Sequence, residues 1–467
     1  MAVEQAQDVD VVVIGGGGGG YPAAFLLDAA GRRVVMVDPI GNLGGDCLAE
    51  GCVPSKAVRE ASLVRAQARR YPTFGLAGAA PSADWPSVLA HKDRVQRTRY
   101  AQHTAELSGS GIRFHTGKAR VTAAHTVEVD DADGATHPYR FGDLVLATGS
   151  APSRLAIPGA ELAVTSHDLF RLGADVGFPL HPVIIGGGYI GVEVASMLEN
   201  FGSSPTVLEA TGELLPGFDA EVATGLHTQL ARRVTIVTGA MVSGIKRSGD
   251  DYLVSYRQGR QGDVEATATG DMVIMATGRD VVLPDGVEQL GLEAGKAPAV
   301  DRLLRTANPH VYAPGDVNGK SMLFHSAVRQ SLVAAHAIAA GGQPVDRMNF
   351  EAVPMTVFTE PEIAHVGLTE TQARERFGSV EVSRYDYAQD ARAQILAATE
   401  GFIKLVFDGH TGRLAGAQIL GVDAAHLISP LALAVQVGAT AAALAEVAFP
   451  HPMLTEGISK AARAQHA

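Results

Sequence analysis

The chain holds two cysteines, Cys47 and Cys52, five positions apart in the segment Gly44–Lys56, GGDCLAEGCVPSK. Two thiols cannot complete a cysteine-rich zinc site, and no metal site is expected. A disulfide closing so short a loop constrains the unfolded chain little, so a purely stabilising bridge is a weak reading. Spacing alone leaves open two buried, unpaired thiols or a redox-active pair. The neighbours favour the pair. Gly51 permits the bend that brings the sulfurs within bonding distance. Val53, Pro54 and Ser55 read as the opening of a helix, with proline near its first position. Cys52 then stands at a helix N-terminus with Lys56 one turn along, and both features favour a thiolate.

The elements that must position this pair show an internal repeat. An apolar run, Val9 to Ile14, leads into G-x-G-x-x-G at Gly15, Gly17 and Gly20, and Val183 to Ile185 leads into Gly186, Gly188 and Gly191. Each motif is followed by a second apolar run ending in an acid, Asp38 in Arg33–Asp38 and Glu209 in Pro205–Glu209, both 23 residues after the first glycine. Each unit closes on a similar strand and turn, Leu144–Ser150 (LVLATGS) and Val273–Arg279 (VIMATGR). One glycine motif is a weak signal. Two copies with matching strand, helix and acid predict two dinucleotide-binding βαβ units, in which the glycines admit a pyrophosphate to a helix N-terminus and the acid accepts from a ribose. Pro22 is tolerated because the first helical turn has N–H groups without intrahelical partners.

Length and composition fit this reading. At roughly 150 residues per domain, 467 residues suggest about three domains. Thirty-eight Lys and Arg against 50 Asp and Glu leave a formal charge of −12, a poor match for nucleic acid. The acidic start, Met1 to Asp10, lacks a signal pattern, and the Ala-rich stretch Leu427 to Phe449 is broken by Pro430, Gln436 and Glu446. No membrane span is expected, and the setting is read as cytoplasmic. Ala83 to Leu107 reads as a long helix whose Lys92, Arg94, Arg97 and Arg99 form a solvated face. A second helix is expected over Ser326 to Ala340, with a boundary at Gly341, Gly342 and Pro344. Strands at Phe402–Phe407 and Leu414–Leu420, followed by Ala-rich helices, read as a third, α+β domain.

In these motifs the chain resembles the FAD-dependent pyridine-nucleotide–disulfide oxidoreductases, above all the members that oxidise dihydrolipoamide. The resemblance spans nearly the whole sequence: the first glycine motif, GGDCLAEGCVPSK, LVLATGS, GGGYIGVE at Gly186–Glu193, ATGR, APGD, FTEPEIAHVGLTE at Phe358–Glu370, and HPMLTE at His451–Glu456. It implies an α/β fold with two Rossmann-like domains and a C-terminal α+β interface domain forming a homodimer. The divisions would be an FAD domain over 1–150 and 280–345, an NAD domain over 151–279 and an interface domain over 346–467. It implies that Cys52 lies against the flavin, that Cys47 exchanges with substrate, and that Lys56 and Glu193 form an ion pair nearby. Tyr189 would cover the nicotinamide pocket, Asp316 would hold the FAD ribitol, and His451, oriented by Glu456, would serve as acid and base across the dimer interface. FAD contacts are implied for Gly15, Gly17, Gly20, Asp38, Gly45, Asp46, Lys56, Gly117, Thr148, Gly149, Ser150, Asp316 and Phe324. NAD contacts are implied for Gly186, Gly188, Tyr189, Ile190, Gly191, Glu193, Glu209, Val242 and Gly278.

Four positions depart from the family's habit. Asp46 and Ala49 stand where Thr and Asn are frequent, Asp38 where Glu is usual, and Pro314 where an apolar residue is common. They bear on flavin contacts and redox potential and leave every catalytic side chain in place. The leading expectation is oxidation of a protein-bound dihydrolipoyl group with NAD⁺, on a lipoyl carrier of a 2-oxo acid dehydrogenase, glycine cleavage or other lipoate-dependent system. A second is NAD(P)H-dependent reduction of a small disulfide such as glutathione disulfide. Glu209, Ala210 and Thr211 after the second strand favour NAD(H), because that reductase needs basic residues there. Mercuric reductase and large thioredoxin reductase require further C-terminal cysteines or selenocysteine. A third expectation, from another class, is a redox-responsive flavoprotein without turnover.

Overall fold

A computed structural model describes residues 6–259 and 264–464; of the N-terminal segment read for targeting, residues 1–5 lie outside the described residues. The first unit is built from β1 (Gln7–Ile14), α1 (Tyr21–Ala29) and β2 (Val34–Asp38), then α2 (Gly45–Ala49), α3 (Cys52–Ala66) and α4 (Trp85–Ser108), then β3 (Arg113–Ala123), β4 (Thr126–Asp131) and β5 (Thr136–Leu146). β1 pairs in parallel with β2 on one side and β5 on the other, so it is central and buried on both faces. That placement explains its unbroken Val and Ile run. Val11 and Val13 pack into one core with Ala24 and Leu27 of α1, and Val12 and Ile14 into the opposite core with Leu144 and Leu146. Each such side chain contributes about 1.5–3 kcal/mol relative to exposure. The strand Val311–Tyr312 returns from far along the chain to extend the sheet beside β5.

The second unit repeats the plan. Strands Thr235–Thr238, Thr206–Glu209, Pro182–Ile185, Met272–Met275 and Val164–Thr165 lie in that order, all parallel. Two chain crossings join the units, Ser150–Pro152 and Arg279–Val281, and they pair with each other antiparallel. The third unit is a five-stranded antiparallel sheet in the order Met355–Val357, Ile363–Gly367, Leu414–Leu420, Phe402–Asp408, Val380–Asp386. Ile403, Leu405 and Ile419 of this sheet share a core with Leu427 and Leu431 of the helix Ala424–Val437 and with Ile458 of the helix Glu456–Arg463. The chain is therefore α/β with two nucleotide-binding units and an α+β third unit. No helix among the described residues is long and apolar enough to cross a membrane.

The expected helices at 83–107 and 326–340 form, over Trp85–Ser108 and Phe324–Ala339. The solvated face needs one correction. Arg94, Arg97 and Arg99 are exposed, but Lys92 is fully buried. Its ammonium donates to the carbonyls of Arg171 (2.6 Å) and Phe170 (3.2 Å) and to Gln96 Oε1 (3.1 Å), with the Asp93 carboxylate at 2.7 Å. Periodicity misjudged it because a buried lysine with this many acceptors has its charge satisfied inside the protein. Gln96 in turn donates to the carbonyls of Leu48 (3.1 Å) and Ala49 (2.7 Å), so α4 satisfies the free C-terminal carbonyls of the short helix that carries Cys47.

Candidate active site

The dithiol sits on two short-range devices. Gly44 (φ +105°) and Gly45 (φ +54°) turn the chain into α2, which carries Cys47, and Gly51 separates it from α3, whose first residue is Cys52. Gly51 contributes space as well as a bend: a Cβ there would lie 3.0 Å from the Asp46 carbonyl oxygen. The helix opens at Cys52, one residue earlier than the sequence predicts. The two thiols are close enough to influence one another, and they separate in acidity. The interaction with Cys52, with burial, pushes the Cys47 thiol up, while the interaction with Cys47 and the nearby Lys56 ammonium hold the Cys52 thiol down. Cys52 is solvent-exposed and Cys47 half-buried. In the dithiol form Cys52 is the more acidic thiol of the pair.

Lys56 Nζ donates to Glu193 Oε2 at 2.7 Å, and Glu193 Oε1 accepts from the Phe358 backbone N–H at 2.9 Å. The Lys56 ammonium also lies 4.5 Å from the centroid of the Phe358 ring. One carboxylate therefore joins α3 of the first unit, the helix Tyr189–Phe201 of the second and the entry to the third. Tyr189 opens that helix, and its phenol, pushed up by burial, feels the charges of Arg279, Asp316, Glu193 and Cys52. Phe358 was not singled out in the sequence; the only hint was its place at the head of FTEPEIAHVGLTE.

The two glycine turns superimpose in their chemistry. Gly15 and Gly186 both have φ +108°, and a Cβ would lie 2.1 Å from the Ala147 oxygen in one and 2.3 Å from the Ala276 oxygen in the other. A Cβ on Gly20 or Gly191 would lie 1.9 Å from the carbonyl oxygen of the first glycine of its own motif. Asp38 accepts from the Gly16 N–H and Glu209 from the Gly187 N–H, each at 2.6 Å. A dinucleotide fits both cradles: tight glycine turns opening helices, with a buried acid at the end of the next strand. In the first, Gly45 stands against Gly17, where a Cβ would come within 2.6 Å of its Cα, so the dithiol loop packs directly on the cradle. Ser150 Oγ donates to Asp316 at 2.6 Å, burial pushes Asp316 up, and the Phe324 ring lies 3.0 Å from the position a Gly18 Cβ would take. Thr148 donates to the Val282 carbonyl, Gly149 has φ +75° and Gly117 lies on β3 beside Asp131. In the second cradle Gly188 precedes the helix with open space around it, Ile190 follows Tyr189, Gly278 has φ +109° in open space, and Val242 stands at a bulge.

His451 and Glu456 meet near the end of the chain. His451 Nδ1 lies 3.1 and 3.0 Å from the two Glu456 oxygens, and this bond lowers the Glu456 pKa. Glu456 is the first residue of the helix Glu456–Arg463, where an anion is favoured. The His451 side chain is 72% exposed, and among the described residues no hydrogen bond or ion pair links the dyad to either cysteine. Leu433, Val437 and Met453 of the same unit are also exposed.

Residues 9–331 match the pyridine nucleotide-disulphide oxidoreductase family model, and residues 353–462 match its dimerisation domain. The chain belongs to this family. Such proteins use FAD and a nicotinamide dinucleotide, and the two cradles provide for both. Dihydrolipoyl dehydrogenases of Geobacillus stearothermophilus and Bacillus subtilis are each 34% identical to it, covering 98% and 97% of the chain and 96% of each relative. Among solved structures, LpdA from Mycobacterium tuberculosis is similar with a TM-score of 0.86 and 29% identity, covering 97% of this chain and 99% of that one.

Within the family fold, Asp46 organises a charge network that the sequence reading did not contain. Arg279 donates to Asp46, to Ser150 Oγ (2.7 Å) and to the Ser150 carbonyl (2.8 Å). His167 lies between two carboxylates, 2.8 Å from Asp46 and 2.6 Å from Glu50. Burial pushes the His167 pKa down, but the hydrogen bonds and charges of Asp46 and Glu50 outweigh it and hold it at about 9. Arg279 stood in the ATGR motif without a role, and the only sign of His167 was the unusual Asp46. Because the folded pKa exceeds the ordinary 6.5, this network stabilises the protein fully below about pH 6.5 and loses that effect as pH rises through 9. His167→Gln should lower the thermal midpoint by an amount equivalent to about 2 kcal/mol at pH 6, with the gap closing by about pH 10. A gap independent of pH would contradict the protonated state assigned to His167.

Proposed function

We propose that the protein oxidises a dihydrolipoyl group carried on a partner protein and delivers the electrons to NAD⁺. One substrate thiolate attacks Cys47 of the Cys47–Cys52 disulfide, the S–S bond breaks and Cys52 leaves as a thiolate. The second substrate thiolate then attacks the mixed disulfide, releases Cys47 and closes the lipoyl disulfide, so two electrons pass to the protein dithiol. Bound FAD supplies the two-electron chemistry that reoxidises this dithiol and reduces NAD⁺. Lys56 keeps Cys52 ionised, the Lys56–Glu193 pair fixes α3 against the second cradle, and Asp316 with Ser150 holds the flavin side chain. His451, aligned by Glu456, takes and returns the thiol protons across a homodimer interface, for which the exposed apolar residues beside it provide cover.

The observation that carries this reading is the placement of the two thiols at the opening of α3, packed on the first cradle and tied to the second through Lys56 and Glu193. The protein works in the cytoplasm on a lipoyl carrier, with an FAD domain over 1–150 and 280–345, an NAD domain over 151–279 and an interface domain over 346–467. Reduction of a small disulfide with NADPH is disfavoured by Glu209. Its carboxylate is buried and accepts from Gly187 N–H, Thr211 N–H and Thr211 Oγ1 where a 2′-phosphate would have to lie. Anaerobic turnover tests both points. Dihydrolipoamide with NAD⁺ should exceed glutathione disulfide with NADH or NADPH, and kcat/KM for NAD⁺ should exceed that for NADP⁺ by at least about tenfold. Equal values for the two cofactors, or better turnover of glutathione disulfide, would overturn the assignment.

A further inference from the structure

We propose that His115, Asp131 and His137 form a binding site for a divalent transition metal of the zinc class, on the first unit and separate from the dithiol. The three residues come from three neighbouring strands. β3 pairs with β4 so that Gly117 faces Asp131, and β4 pairs with β5 so that Val129 faces His137. Strand alternation then puts His115, Asp131 and His137 on one face of the sheet. Gly117, two residues along β3 from His115, packs so closely on β4 that a Cβ there would meet the Asp130 carbonyl oxygen at 2.2 Å, so no side chain stands between the His115 and Asp131 positions on that face.

The donor atoms have gathered. His115 Nδ1 lies 3.0 Å from both Asp131 oxygens, His137 Nε2 lies 3.0 Å from Asp131 Oδ2, and one donor atom from each residue falls within 4.8 Å of the others. A tetrahedral ion with bonds of about 2.0–2.1 Å needs donors about 3.3 Å apart, within reach of side-chain rotation. Two imidazoles and a carboxylate suit zinc, with the fourth position left for water or an added ligand. The outer contacts are also right. His115 Nε2 is 2.7 Å from the buried Tyr139 hydroxyl, an acceptor for the ring proton once Nδ1 is committed to a metal. The His137 side chain is 34% exposed, which gives an ion a way in. The other group of this type, Asp46, Glu50 and His167, carries no such proposal because Arg279 already occupies Asp46. The expectation of no metal came from the cysteines alone. Bound metal would strap together β3, β4 and β5, next to Thr116, whose side chain lies 2.9 Å from where a Gly41 Cβ would stand, at the ribose end of the first cradle.

The test is calorimetric titration of untagged, oxidised holoenzyme with zinc chloride, a state in which the dithiol cannot chelate. One equivalent per chain should bind and raise the thermal midpoint. His137→Gln and Asp131→Asn should each abolish the binding, and Tyr139→Phe should weaken it by about 10–100-fold. His167→Gln should leave it unchanged. Failure of the wild-type protein to take up a stoichiometric equivalent, or uptake that persists in both His137→Gln and Asp131→Asn, would overturn the proposal, leaving a hydrogen-bonded His–Asp–His cluster only.

Discussion

Replacing Cys47 and Cys52 one at a time should give two inactive proteins with different colours. Turnover of dihydrolipoamide should fall by about 10⁴-fold or more in each, because neither variant can form the disulfide that accepts the electrons. The spectra should diverge because the two sulfurs have different partners. In Cys47→Ser a hydroxyl replaces the neighbouring thiol and the Lys56 charge is kept, so Cys52 should be held as a thiolate. A thiolate against the oxidised flavin should add a broad absorbance at longer wavelength, present without any reductant and lost when acid protonates the sulfur. Lys56→Met in the Cys47→Ser background should move that loss to higher pH, because it removes the positive charge that favours the anion. In Cys52→Ser the remaining thiol is Cys47, which burial keeps protonated once its partner is gone, and the band should be absent even after reduction. Reversed spectra would exchange the roles assigned to the two cysteines.

How much of this was legible in the sequence follows the range of each interaction. The glycine turns, the acid 23 residues on and the dithiol segment are short-range devices. Their backbone requirements select residue types directly, so Gly15 and Gly186 were identifiable before any fold was known. Lys92 shows where periodicity stops. Its helical phase is that of a polar face, yet the Phe170–Arg171 segment supplies the carbonyls that bury it. The Asp46 network and the His115 cluster fail for a different reason. Asp46 lies 121 residues from His167 and 233 from Arg279, and His115 lies 16 and 22 residues from Asp131 and His137; they meet only through a loop path or a strand register that no local pattern specifies. Phe358 is a third kind of miss. It acts on Glu193 through its backbone N–H, which every non-proline residue possesses.

The dyad gives the largest effect that a single protomer cannot explain. A thiol is a weak nucleophile near neutral pH, and exchange needs a base to take its proton and an acid to protonate the departing sulfur. Glu456 accepts from His451 Nδ1, which leaves Nε2 directed away from the carboxylate as the atom free to exchange protons. That atom is on an exposed ring, in the unit matched by the family's dimerisation model, with no hydrogen bond to its own dithiol among the described residues. On the function proposed above, a complete site takes the dithiol from one protomer and the imidazole from its partner. His451→Gln should lower dihydrolipoamide turnover by about 10²-fold or more, while FAD content and direct reduction of the flavin by NADH stay near wild type. Co-expressing Cys47→Ser chains with His451→Gln chains separates this arrangement from a site built within one chain. Half of the randomly assembled dimers are mixed, and each mixed dimer holds one site with both intact parts and one with neither. Activity should return to about a quarter of the wild-type value. A single-chain site predicts no recovery, since every protomer then carries one fatal change, and purified mixed dimers without activity would decide for it.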